Sequence, residues 1–184
     1  MTILWIVLIV VGIPLLWVIF SYNKLIRFRN RVQEAWSDIQ VQLKRRYNLI
    51  PNLVETVKGY MEHEEKVLTK ITEARSKAQQ AEDVKEQEKA ENMLSSTLKS
   101  LFAVAEDYPD LKADENFREL QREITDTENK IQAARRFYNT NVRDYNTSIQ
   151  TFPTNIIANI FGFSEQDLFE IENPEEAEPV DVEF

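Results

Sequence analysis

An uninterrupted apolar run at the N-terminus constrains this chain more than any other feature. Every side chain from Ile3 to Phe20 is apolar or belongs to Gly or Pro, and the first charged residue is Lys24. As a helix this run would rise about 27 Å, close to the thickness of a bilayer's hydrocarbon core. The alternative is a buried core helix, but a helix that is apolar on all sides is hard to cover inside a domain of this size. The run therefore predicts a single transmembrane anchor over residues 1–23.

The residues around the run indicate an uncleaved anchor and an orientation. Neither the start of the chain nor Ser21-Tyr22-Asn23 has the pattern of a cleaved signal peptide. Four basic residues follow the run: Lys24, Arg27, Arg29 and Arg31. By the positive-inside rule we expect a single-pass cell-membrane protein with its N-terminus outside and its body in the cytoplasm. The same four side chains are candidate contacts for anionic headgroups at the membrane interface.

Composition favours an all-α body. The chain has 184 residues with only 3 Gly and 6 Pro, and 29% of its residues are charged. Such a mix suits long helices better than strands and tight turns. We predict an antiparallel four-helix bundle of long helices over residues 24–163.

Apolar periodicity places the four helices of the body. One stripe runs from Leu25 to Ile50, and Pro51 predicts a break or kink at 48–51. A second helix is expected from Pro51 to Ala81, a polar turn or solvated stretch at 82–88, and a third helix from about Ala90 to Ala105. The fourth, capped by Asp110 or Asp114, has apolar residues seven apart: Phe117, Ile124, Ile131, Tyr138, Tyr145 and Phe152. Pro153 should end it, with one or two further turns closed by Gly162.

The C-terminal segment is acidic. Nine Asp or Glu residues lie between Glu165 and Glu183 without any Lys or Arg, and they account for the net charge of -9. We therefore expect an acidic, flexible tail over residues 164–184. Because the remainder of the chain is balanced in charge and has no nucleic-acid stacking motif, nucleic acid is not an expected partner.

The sequence offers little for catalysis. There is no Cys, and the single His63 lies among Glu side chains that point in different directions on a helix. A solvated helix face explains them better than a metal site, and no carboxylate pair lies in an apolar context that would separate two pKa values. We expect no catalytic residues, no metal, no cofactor and no enzymatic activity.

Three clusters could bind something. Ile156, Ile157, Ile160, Phe161 and Phe163 follow the end of the predicted bundle, where they could cap the core, touch lipid or contact another protein. Lys44-Arg45-Arg46 could bind an acidic surface, but a solvated helix end is the preferred interpretation. Tyr138-Asn139 and Tyr145-Asn146 repeat one heptad apart, and we interpret them as hydrogen-bonding groups that fix the helix register.

Several motifs resemble the LemA family, and together they cover nearly the whole body. They are Arg29-Asn30-Arg31-Val32, Glu34-Ala35-Trp36-Ser37-Asp38-Ile39, Gln42-Leu43-Lys44-Arg45-Arg46, Leu49-Ile50-Pro51-Asn52-Leu53-Val54, Tyr108-Pro109-Asp110-Leu111 and Ala134-Arg135-Arg136-Phe137-Tyr138-Asn139. The resemblance implies a single-pass membrane protein with a helical bundle and supplies no catalytic residues. It also implies an association with membrane metalloproteases of the heat-shock type.

Together these observations predict a membrane-anchored, non-enzymatic scaffold or adaptor. It would form a homo-oligomer in the lipid bilayer and engage another membrane protein, such as a membrane metalloprotease. The alternative is an oligomeric coat protein that organises or remodels the membrane. An enzyme ranks third.

Overall fold

A computed structural model of the chain describes residues 2–61 and 64–170. All regular structure in this part of the chain is helical. The helices are α1 (Thr2–Lys58), α2 (Glu65–Gln80), α3 (Val84–Ala105), α4 (Pro109–Ala113), α5 (Glu115–Gln150) and α6 (Thr154–Ile160). The all-α prediction is confirmed, whereas the antiparallel four-helix arrangement stays a prediction.

Helix α1 continues through Pro51, so it has no break at 48–51, and the alternative of a kink there stays a prediction. Pro51 itself is exposed, while Leu53 and Val57 beyond it are fully buried. A proline inside a helix costs roughly 3 kcal/mol. Burying two large aliphatic side chains returns about 1.5–3 kcal/mol each, which offsets that cost. The apolar stripe therefore extends the helix past the proline.

The helix predicted from Pro51 to Ala81 is in fact divided near Gly59. Helix α1 ends at Lys58, and the backbone N–H groups of Tyr60 and Met61 both donate to the Val57 carbonyl, at 2.9 and 3.0 Å. Helix α2 then starts at Glu65. Gly59 is the helix-ending residue type that could have signalled this boundary. Glu62 and His63, at the centre of the predicted solvated face, lie outside the described residues.

Side-chain caps set the starts of α3 and α5. Asp83 Oδ1 accepts from the Glu86 backbone N–H at 2.7 Å, so α3 begins at Val84, inside the segment expected to be a polar turn or solvated stretch. Asp114 Oδ1 accepts from the Phe117 N–H at 2.8 Å, which identifies Asp114 as the cap of α5. Each interaction satisfies one of the free donors at a helix N-terminus.

The heptad positions of α5 are buried from Phe117 through Tyr145, as predicted. The next position, Phe152, is 74% exposed, so its assignment to the core is wrong. Helix α5 ends at Gln150, two residues earlier, and the seven-residue phase is lost there. The short helix α6 follows and closes at Gly162, whose φ of 70° suits a residue without a Cβ.

The described chain divides into two compact units. Unit 1 combines the residues up to Asp38 with Arg136–Leu168. Unit 2 combines Ile39–Arg135 with Phe169 and the residues that follow. Helices α1 and α5 each contribute to both units. The predicted division of the chain at residues 24 and 164 stays a prediction.

Candidate interaction surfaces

In unit 1, the apolar start of α1 is exposed and its continuation is buried. Val10 is 64% exposed and Phe20 is 67% exposed, whereas Ser21 and Leu25 are buried at 8% and 0%. Judged by length and composition, the helix from Ile9 onward can cross a membrane. The same helix therefore presents an uncovered apolar surface up to Phe20 and packs in the body from Ser21.

The four predicted membrane-interface residues, Lys24, Arg27, Arg29 and Arg31, are exposed on α1 directly after this surface. The Lys24 Nζ lies 5.6 Å from the centre of the Phe28 ring. The Arg29 guanidinium lies 5.5 Å from the centre of the Phe163 ring. Both are favourable cation–π geometries. Their contact with headgroups stays a prediction.

The apolar cluster of α6 is partly core and partly surface. Ile157 is buried, with 3% exposure, and belongs to the core of unit 1. Ile156, Ile160 and Phe161 are 47%, 68% and 52% exposed, and Phe163 is half-buried. The structure thus separates one core residue from a set of large apolar side chains that remain open.

Aromatic contacts join the segment after α6 to the end of the apolar run in unit 1. The Tyr22 ring lies 4.8 Å from the Phe161 ring and 5.8 Å from the Phe163 ring, centre to centre. Both separations fall within the range of favourable aromatic pairs. Tyr22 follows Phe20 by only two residues, so these contacts place the α6 segment next to the exposed part of α1.

The Tyr-Asn pairs of α5 bind an extended segment, residues 164–168, which we call the strap. Tyr145 Oη donates to the Ser164 carbonyl and Tyr138 Oη to the Asp167 carbonyl, each at 2.9 Å. Asn146 pairs with the backbone of Gln166 in both directions, donating from Nδ2 and accepting at Oδ1, again at 2.9 Å. The pairs were predicted to fix helix register, but these three side chains hold the strap instead.

Burial shifts the titration of these hydroxyl groups. Burial, helped by the nearby Asp167 carboxylate, raises the pKa of Tyr138 to about 12. Burial also raises the pKa of Tyr145, while Arg29 acts in the opposite direction. Both side chains therefore stay protonated and donate hydrogen bonds at neutral pH.

In unit 2, the chain after the strap is also held in place. Phe169 is fully buried, and the Arg135 guanidinium lies 5.1 Å from the centre of its ring. Arg135 also donates to the Phe169 carbonyl at 3.3 Å, and the Glu170 N–H donates to Glu88 at 3.1 Å. Residues 164–170 thus differ from the flexible tail predicted to begin at residue 164. The predicted tail from residue 171 onward lies outside the described residues.

A buried polar cluster in unit 2 corrects the interpretation of Lys44-Arg45-Arg46 as a solvated helix end. Arg46 is fully buried and forms ion pairs with Glu91, which is also fully buried, and with Glu128. Its guanidinium also donates to Ser95 Oγ at 2.9 Å. Tyr47 Oη donates to Glu91 as well. Lys44 and Arg45 are exposed, as predicted, and the Arg45 guanidinium lies 3.8 Å from the Glu123 carboxylate.

These contacts join four helices. Arg46 and Tyr47 lie on α1, while their partners Glu91 and Glu128 lie on α3 and α5. Arg75 of α2 donates to the Tyr47 carbonyl at 2.8 Å. Burial raises the pKa of Tyr47, partly countered by Arg46 and by a hydrogen bond from Gln87. Arg46 pairs with both carboxylates and Glu91 also accepts from Tyr47, so the arrangement fits a structural role. Among the described residues, no three His, Asp or Glu side chains are grouped to hold a metal ion.

Comparison with known proteins decides the family. The family model described as LemA matches residues 35–184, which includes most of α1 beyond the exposed apolar run and all of α2 to α6. The chain belongs to the LemA family.

Curated relatives agree with LemA membership. Protein LemA of Metamycoplasma hominis is 34% identical over 137 residues, covering 74% of this chain and 63% of the relative. A magnetosome protein MamQ of Paramagnetospirillum magneticum and the MamQ of Magnetospirillum gryphiswaldense are each 22% identical, covering 83% and 82% of this chain and 65% of each relative. The chain thus spans just under two thirds of the length of these relatives.

The structure gives physical roles to residues in the LemA-like motifs. Arg46, from the motif Gln42–Arg46, is the central cation of the buried cluster. Tyr138 and Arg135, from the motif Ala134–Asn139, bind the C-terminal segment in their respective units. Arg46 lies seven residues from both Ile39 and Leu53, so its place in the apolar stripe was the signal that could have identified it as buried.

Proposed function

We propose that this LemA family chain is a non-enzymatic, membrane-anchored scaffold or adaptor that self-associates and engages another membrane protein. The observation that carries the proposal is the change along α1 from an exposed apolar surface at Phe20 to a fully buried Leu25. A helix that crosses the bilayer and then packs without a linker holds its folded unit at the membrane surface. The basic residues after the run favour a cytoplasmic body.

The polar groups support a structural role more than a catalytic one. The carboxylates of Glu91 and Glu128 accept hydrogen bonds from Arg46, and the Tyr47 hydroxyl donates to Glu91. The strap-binding side chains are committed to backbone groups of the strap. A general acid or base needs a proton-transfer atom that is free to reach a substrate. These groups serve instead to fix helices and the C-terminal segment.

Exposed apolar side chains on the body supply candidate contact points for a partner. Phe137 of α5 is 56% exposed, and Met93 of α3 is 47% exposed. Large apolar or aromatic residues of this kind anchor many protein interfaces. A membrane metalloprotease is one partner class that the LemA resemblance suggests, and a second copy of the chain would account for self-association.

The test is site-specific photo-crosslinking in intact membranes. A photoreactive phenylalanine analogue replaces Phe137 in the full chain, and the matched control places it at Gln132, an exposed polar position on the same helix. After extraction in detergent, the mass of the crosslinked complex and the identity of its members are measured by mass spectrometry.

We expect a complex of defined composition from the Phe137 position and little product from the Gln132 position. Large assemblies that contain only this chain on lipid would favour the membrane-organising coat. A monomer that forms no crosslink from either position would contradict both. Deleting everything after Phe152 is a poor substitute, because it removes the buried Ile157 and Phe169 along with the exposed residues.

A further inference from the structure

We propose that α6 and the aromatic residues after it form a second membrane contact, which lies in the headgroup layer and inserts Ile156, Ile160 and Phe161 toward lipid. This inference rests on the proposed membrane anchoring of α1. Lipid, and not a protein, would then cover the exposed apolar cluster in unit 1.

Tyr22 lies close to the end of the apolar run on α1. A helix rises 1.5 Å per residue, so Tyr22 lies about 3 Å beyond Phe20, the last residue of the apolar run. The polar layer of a bilayer is roughly 5–8 Å thick on each side of the hydrocarbon core. Tyr22 therefore falls inside this layer when the run spans the membrane. Because the Phe161 ring packs on Tyr22 at 4.8 Å, the end of α6 falls there as well.

Helix α6 has an exposed apolar side and a buried side. Ile156 and Ile160 are four residues apart, so they lie on one side of α6, and both are largely exposed. Ile157 on another side is buried and fixes the helix to unit 1. Leaving such apolar side chains in water is unfavourable. An interfacial helix recovers this free energy by burying its apolar face at the boundary between headgroups and acyl chains.

The segment that contains α6 has no charged side chains, whereas α1 beside it has several cations. The chain is 29% charged, yet no Asp, Glu, Lys or Arg occurs from Tyr145 to Ser164. A segment without charge avoids the penalty of bringing ions close to the hydrocarbon. The exposed cations Lys24 and Arg27 lie on α1 just beyond Tyr22, where anionic headgroups would meet them. A water-soluble partner would have to enter the headgroup layer to cover the same residues, so lipid is the better fit.

The experiment measures the membrane depth of single spin labels on the full chain. The protein has no Cys, so each substitution gives a single labelling site. The variants Ile160→Cys, Leu16→Cys and Thr140→Cys are labelled with a nitroxide and reconstituted into vesicles of phosphatidylcholine and phosphatidylglycerol. Leu16 reports on the span, and Thr140 is an exposed position on α5 about 15 Å before the end of that helix. Collision with oxygen, which concentrates in lipid, is compared with collision with a water-soluble nickel chelate.

We expect the oxygen-to-nickel collision ratio at Ile160 to be several-fold higher than at Thr140 and lower than at Leu16. A ratio at Ile160 equal to that at Thr140, with Leu16 in lipid, would overturn the α6 contact and leave the anchor intact. A water-exposed Leu16 would overturn the anchoring, and the α6 inference would fall with it. A label at Ile160 shielded from both reagents, or broadened by a second label, would show a protein contact and also overturn the inference. Dilution with unlabelled protein, which removes broadening between labels on neighbouring copies, identifies that last case.

Discussion

The two units use polar side chains in different ways. In unit 2, Arg46 and Glu91 are charged, fully buried and paired with each other across helices. In unit 1, Tyr138, Tyr145 and Asn146 are neutral and bind the backbone of the strap. Removing one member of a buried ion pair leaves an uncompensated charge, whereas removing a neutral donor loses one hydrogen bond. Single substitutions in the buried ion pair should therefore lower the free energy of unfolding of unit 2. Single substitutions at the strap-binding side chains of unit 1 should release the strap and affect little else.

The largest effect is expected from a buried charge that has no partner. Ile131 is 1% exposed in unit 2, and Ile131→Asp places a carboxylate there without a cation. We expect a loss of about 5 kcal/mol in the free energy of unfolding, enough to unfold a typical domain. The control is Gln132→Asp at the exposed neighbouring position. Chemical denaturation followed by circular dichroism measures both, and equal stability of the two variants would place Ile131 on the surface.

A slightly smaller effect is expected from breaking the ion pair. Arg46→Ala leaves the buried Glu91 without its cation, which should cost about 3–5 kcal/mol. The neighbouring Arg45 pairs with Glu123 at the surface, so Arg45→Ala should cost about 0–1 kcal/mol. Denaturation curves of the two variants provide the comparison. If Arg46→Ala is as mild as Arg45→Ala, the cluster is hydrated and the contrast between the two units disappears.

The strap should show a dependence on alkaline pH that comes from Tyr138. Its pKa of about 12 in the folded chain lies above the ordinary 10.0, so folding favours the protonated hydroxyl. The resulting stability is fully present below pH 10 and is lost as the pH rises through 12. Tyr138→Phe should remove this part of the pH dependence. Tyrosinate absorbance and stability measured from pH 9 to 12 check the prediction, and identical profiles for both proteins would contradict it.

The smallest effect is expected at Asn146. Asn146→Ala removes the two-way pairing with Gln166, which should cost about 1 kcal/mol and act on the strap alone. Amide hydrogen exchange should become faster at residues 164–168 and stay unchanged at Leu98, in the core of α3. Faster exchange throughout both units would mean that the strap supports the whole fold.

The sequence predicted features that depend on repeated spacing. The heptad residues from Phe117 to Tyr145 are buried because a seven-residue apolar repeat specifies one face of a helix. The apolar run and its basic flank were also recognisable from residue type alone. Local breaker rules did less well, since Pro51 lies inside α1 while Gly59 lies at its end.

The contacts between distant residues could not be predicted in the same way. Arg46 lies at a core position of its helix, but its burial depends on Glu91, forty-five residues away. The strap depends on side chains of α5 meeting backbone groups some twenty residues later. Hydrogen bonds to the backbone leave no signature in the residue types of the strap, so an acidic composition alone suggested a flexible tail.

The most direct test of the membrane-anchored account is deletion of Ile3 to Phe20. Among the side chains that the structure describes, the first buried one is Ser21, so the core should survive the deletion. We predict that alkaline carbonate releases the shortened protein from membranes in a folded, helical form, while the full chain stays in the membrane pellet. A shortened protein that remains in the pellet after carbonate treatment, or that has lost its helical circular dichroism, would contradict the account.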